Sequence, residues 1–96
     1  MDLSADPIRV LHVDADPDFL ESAATHLDRD DDRIAVDTAT SATDAHRLLE
    51  ESPIDCVVAG DDLPDRTPLE FLAEVRETRP DLPFILVMGT GSEAIP

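Results

Sequence analysis

The chain has 96 residues, 42% of them hydrophobic, and carries 23 acidic against 7 basic residues, for a formal charge of −16. That size and apolar content suit one small domain with a packed core and exclude wholesale disorder. The charge speaks against nucleic-acid binding, because phosphate contacts need Lys or Arg, and against anionic membrane surfaces.

Short β-rich runs alternate with amphipathic stretches. Ile8 to Val13 is predicted as the first strand. Asp16-Pro17 then places an N-cap before a proline at the first helical position. Phe19, Leu20, Ala23, Ala24 and Leu27 follow at helical spacing, and the acidic stretch Asp28 to Asp32 is expected to be a solvated turn. Ile34 to Thr38 is a second strand, short and polar as suits a sheet edge. Ser41 caps a second helix with the apolar face Ala42, Ala45, Leu48 and Leu49, and Pro53 ends that connection. Ile54 to Ala59 is apolar throughout, as expected of a central parallel strand. Thr67-Pro68-Leu69-Glu70 is a capping box that opens a third helix. Leu69, Phe71, Leu72 and Val75 are expected to face the core, and Pro80 marks the stop. A fourth strand runs from Phe84 to Met88. Gly89 to Glu93 is a loop, and Ser92 caps the start of a further helix.

Strands alternating with helices imply right-handed βαβ units and a doubly wound parallel sheet with helices on both faces, an α/β fold. Residues 1–96 form a single domain. The last residues, Glu93-Ala94-Ile95-Pro96, have the look of a helix cut near its start, so the chain is expected to be the N-terminal fragment of a longer protein.

All the basic residues are arginine, and no lysine occurs. Acidity without lysine points to a salt-adapted prokaryote, since screening relieves the self-repulsion of so charged a domain. Cys56 is the only cysteine, so no disulfide forms within the chain. Inside its apolar run it is expected to be a buried, inert thiol. The N-terminus lacks a signal-peptide pattern, and no apolar run approaches the length of a membrane span. A cytoplasmic location is the expectation. His12 lies in the first strand, His26 on the first helix and His46 on the second; they share no metal-like spacing. His12 is expected to be packed and the other two partly exposed. Arg76 and Arg79 place positive charge at the end of the third helix. Thr90-Gly91-Ser92 has the form of an anion site at a helix start, but no basic residue stands beside it.

In order and spacing, Val10-Leu11-His12-Val13-Asp14 with Pro17, Asp55-Cys56-Val57-Val58 with Leu63-Pro64, Leu69-Glu70-Phe71-Leu72 and Leu82-Pro83-Phe84-Ile85-Leu86 together resemble the receiver domain of two-component response regulators. The resemblance spans nearly all of the chain. It implies a flavodoxin-like receiver fold with strand order 2-1-3-4 here and the family's fifth strand missing. It also implies a site at the carboxyl ends of strands one, three and four. There the family's two acidic residues and an acceptor aspartate hold Mg²⁺, while a hydroxyl residue and a lysine contact the phosphoryl group. Carboxylates suit a hard cation, the lysine is a point charge for the phosphoryl oxygens, and the acceptor carboxylate is the nucleophile.

Carried over position by position, the first acidic residue is Asp14 and the second falls on Ala15. The acceptor falls on Gly60, the hydroxyl on Met88 and the lysine on Thr90. The packing positions survive while four of the five functional positions are lost. Asp61 cannot replace a side chain at position 60, because adjacent strand residues face opposite ways. Asp62 stands where the family offers a backbone carbonyl to the metal. Asp14 and Asp62 are therefore the expected remnant of a metal site, with Mg²⁺ the cation concerned. The plain alternative is loop acids in an acid-rich protein, with Asp16 acting as a cap.

The resemblance therefore implies a degenerate, pseudo-receiver module, not an enzyme, that needs no cofactor and acts by protein–protein interaction. Its expected partners are histidine kinase or PAS-type signalling modules, in the same chain or another, and a second copy through the open fourth strand. Two alternatives stay open: an atypical receiver phosphorylated on Asp61 or Asp62, and a cation or small-ligand sensor at Asp14, Asp61 and Asp62.

Overall fold

The computed structural model describes residues 7–30 and 33–87. In chain order the elements are β1 (Ile8–Val13), α1 (Pro17–Asp30), β2 (Ile34–Ala39), α2 (Ala42–Glu51), β3 (Cys56–Gly60), α3 (Pro68–Thr78) and β4 (Phe84–Val87). The strands form one sheet in the order β2-β1-β3-β4, and every neighbouring pair runs parallel. With helices between the strands, this is the expected flavodoxin-like receiver topology. β2 is an edge strand, as its polar pattern suggested. No helix of the described residues is long and apolar enough to cross a membrane.

Alternation along the strands decides which side chains enter the core. Leu11 and Val13 of β1 stand beside Val57 and Ala59 of β3, and all four are fully buried. Ala42 and Ala45 of α2, Phe71 and Val75 of α3, and Ile54, Leu63 and Leu82 from the connections complete this layer. Each large side chain buried there contributes roughly 1.5–3 kcal/mol, opposed by the entropy of ordering the chain. On the other face, Leu20 of α1 is buried while Ile85 and Val87 of β4 remain substantially exposed.

Several boundaries differ from the expectation. α1 runs on to Asp30, so Asp28 to Asp30 are helical and not part of a turn. Asp-Arg-Asp contains no Gly or Pro to interrupt the backbone hydrogen bonds. β2 gains Ala39, and β3 begins at Cys56 and reaches Gly60. Ile54 is a buried anchor before β3, its amide donating to the Ser52 carbonyl at 2.9 Å. Leu69 is 73% exposed, against the expected core position. It precedes Phe71 by two residues, which is about 200° around a helix, whereas Phe71 and Val75 share a face at a spacing of four. The predicted features at Met88, Gly89 to Glu93 and Ser92 lie outside the described residues, as do Asp31 and Asp32.

Candidate functional site

The crevice opens at the carboxyl ends of β1 and β3, where the strand order reverses direction. These strands pair from Val10 beside Cys56 to Val13 beside Ala59. The next residues stand side by side: Asp14 just beyond the end of β1, and Gly60 the last residue of β3, still paired with Val87 of β4. The Asp14 amide donates to the Ala39 carbonyl at 3.0 Å, and its Oδ1 accepts from the Asp16 amide at 2.9 Å. Its Oδ2 lies 2.7 Å, and its Cγ 3.3 Å, from where a Cβ on residue 60 would stand. The φ of Gly60 is not left-handed. Close approach, rather than backbone angle, is what favours glycine here.

Asp16 caps α1 as its position suggested, its Oδ1 accepting from the Asp18 amide at 3.0 Å. His12 is 8% exposed, and its ring meets Phe19 edge-on with centroids 5.5 Å apart. Burial pushes its imidazole below the ordinary range, while the charge of Asp14 pulls the other way. Cys56 is only half-buried, not buried as expected. Burial and the neighbouring Asp55 carboxylate still push its thiol up, which disfavours the thiolate.

Beyond Gly60, Asp61 is half-buried and Asp62 exposed, and the buried Leu63 anchors the loop. Asp65 then turns back to α2. Its Oδ1 accepts from the Ala42 amide at 2.9 Å, and its Oδ2 from the amide and hydroxyl of Thr43 at 3.0 and 2.8 Å. With Ser41 Oγ accepting from the Asp44 amide, the first amides of α2 are all satisfied by side chains. The Ala42 amide is the largest influence holding the Asp65 carboxyl down, at about 2. Arg66 donates through Nε to Glu74 Oε2 at 2.7 Å and through Nη1 to the Asp65 carbonyl at 2.7 Å. His46 Nε2 lies 2.8 Å from Glu74 Oε1. Arg66, and then His46, hold the Glu74 carboxyl below its ordinary value.

The family model for the response regulator receiver domain matches residues 10–95. This chain belongs to the response regulator receiver domain family. It is 38% identical over 66 residues to the hydrogenase transcriptional regulatory protein HoxA of Cupriavidus necator, a match covering 68% of this chain and 14% of that protein. A CheY-like receiver domain protein from Methanospirillum hungatei superposes with a TM-score of 0.80 at 26% identity, over 88% of this chain and 66% of that one. Response regulator TrrA of Thermotoga maritima, in complex with Mg²⁺ and BeF, gives 0.79 at 25% identity, over 88% of this chain and 72% of that one. Receiver domains are signalling modules that work with kinases and effector domains.

A receiver's Mg²⁺ site needs converging carboxylates. Among the described residues, no group of three or more His, Cys, Asp or Glu side chains is placed to hold a metal ion. Asp14 is turned toward Gly60 and bound to the Asp16 amide. A full receiver metal cage does not fit this set of donors. Met88 and Thr90 lie outside the described residues, as does the side chain of His26. His46 is half-buried, as expected, but its pairing with Glu74 had no local signal. Nor did the roles of Asp65 and Arg66, because the Asp65 contacts reach 22 and 23 residues back along the chain. At the end of α3, Arg76 Nη1 donates to the carbonyls of Arg79 and Leu82. Arg79 donates to the Ile54 carbonyl at 2.9 Å. Both tie loops down in addition to placing charge at a helix end.

Proposed function

We propose that this receiver is a pseudo-receiver: it lacks a phosphoryl-accepting aspartate at the end of β3 and acts through contacts with other signalling domains. The carrying observation is Gly60 with the Asp14 carboxylate against it, where a side chain at position 60 would stand. Phosphoryl transfer needs a carboxylate nucleophile and a cation beside it. Asp14 and Asp62 would be the remnant of the metal site, giving weak binding of a divalent cation at most. The acidity, on this reading, is salt adaptation in a cytoplasmic protein. The partners would be histidine kinase, PAS-type or effector modules; HoxA is a transcriptional regulatory protein, which is consistent with an effector in the same chain.

The test is a two-dimensional NMR titration of the chain in high salt, first with magnesium and then with beryllofluoride, which stands in for a phosphoryl group on aspartate. The expected result is small fast-exchange shifts, or none, with magnesium and no further change with beryllofluoride. Slow-exchange changes around Asp61 or Asp62 would overturn the reading and favour an atypical acceptor. The aspartate concerned would then be identified by Asp→Asn substitution and mass gain with a small phosphodonor.

A further inference from the structure

We infer that α2, the loop after β3 and α3 are joined in a closed polar ring that responds to pH through His46, so that protonating His46 tightens the loop carrying Asp61 and Asp62. The inference is independent of whether the crevice accepts a phosphoryl group.

The ring can be followed atom by atom. His46 of α2 reaches Glu74 of α3 at 2.8 Å. The second oxygen of Glu74 accepts from Arg66 Nε at 2.7 Å. Arg66 bonds to the Asp65 carbonyl, and the Asp65 carboxylate returns to α2 at Ala42 and Thr43. His46 and Thr43 lie one turn apart on the same helix, so the circuit closes through its backbone. Each link between elements is a hydrogen bond with a charged partner, the stronger kind.

Histidine is the side chain whose charge ordinarily changes between about pH 5 and 8. The ordinary ranges of carboxylates and guanidinium lie outside that interval. Neutral His46 can keep the contact with Glu74 by donating one Nε2 proton. Protonated, it adds a full charge to the same contact, and Glu74 then stands between two cations. Around His46 stand Glu74 of α3, Arg66 of the loop, Glu50 of α2, and Arg79 at the end of α3. The Phe71 ring meets the imidazole edge-on with centroids 5.2 Å apart. The two acids and two arginines nearly balance, so direct contact with Glu74 decides the effect. The pairing is partly exposed, with side chains 30% and 34% accessible, and salt screening keeps the effect modest.

The readout is amide exchange by NMR, expressed as protection relative to the intrinsic rate at each pH. For Ala42 and Thr43, whose amides donate to Asp65, protection is expected to rise roughly two- to fivefold from about pH 8 to about pH 5.5. Val57, at the centre of the sheet, is the control for overall stability. His46→Gln should abolish the rise, because glutamine keeps a donor but gains no charge. Asp65→Asn should lower protection at Ala42 and Thr43 at both pH values while leaving Val57 protected. A pH-independent protection in the unmodified chain, a rise that survives His46→Gln, or an equal rise at Val57 would each overturn the inference.

Discussion

The Asp14 carboxylate stands where a side chain on Gly60 would have to go, with Oδ2 2.7 Å from the missing Cβ. Asp14 directly follows β1 and Gly60 closes the adjacent parallel strand β3, so the space beside the glycine is within reach of the carboxylate. Gly60→Ala is expected to cost about 1 kcal/mol, because the added carbon displaces a hydrogen-bonded carboxylate. In an Asp14→Ala background most of that cost should vanish. Denaturant unfolding of the two single variants and the double variant measures the coupling. Additive costs would mean that the two positions do not compete for space.

Phe71 and Leu69 are two residues apart and should respond oppositely. Phe71 is fully buried and meets the rings of His46 and Phe84. Phe71→Ala is expected to cost about 3–5 kcal/mol, a large share of the roughly 5–15 kcal/mol that holds a domain together. Leu69→Ala should stay within about 0.5 kcal/mol. Thermal melts of both variants check this directly.

Asp65 gives a pH dependence with a definite sign. Its carboxyl is held at about 2 in the folded chain, against an ordinary value of 3.8. A depressed carboxyl contributes stability above its unfolded value and loses it as pH falls through its folded value. Removing this cap with Asp65→Ala should cost about 1 kcal/mol near neutral pH. The gap between the two proteins should hold down to about pH 4 and close toward about pH 2. Urea unfolding at a series of pH values measures it; a gap that persists at the acid end would contradict the capping role.

The net charge of −16 predicts a response to salt. The melting temperature is expected to rise between about 0.1 and about 2 M potassium chloride, as screening relieves self-repulsion. A flat or falling series would show that the charges are already well compensated.

Much of this architecture could be read from local pattern. Alternation and apolar runs marked the strands, and Ser41, Asp16 and the Thr67–Glu70 box marked helix starts, because these signals act within a few residues. The box forms with both of its hydrogen bonds. Leu69 misled because an apolar residue beside a capping box looks like a core residue until the helical phase is fixed by Phe71 and Val75. Asp28 to Asp30 misled because polarity suggested a turn where nothing breaks the helix.

The sequence by itself determined the strand and helix order, the glycine at position 60 and the absence of any lysine from these 96 residues. Only the tertiary structure decided that Asp14 turns into the space beside Gly60, and that Asp65 caps a helix begun 23 residues earlier. It also decided that His46, Glu74 and Arg66 meet. The reason is physical: composition and short-range propensity are written along the chain, whereas these contacts exist only once parallel pairing and helix packing bring distant segments within hydrogen-bond reach.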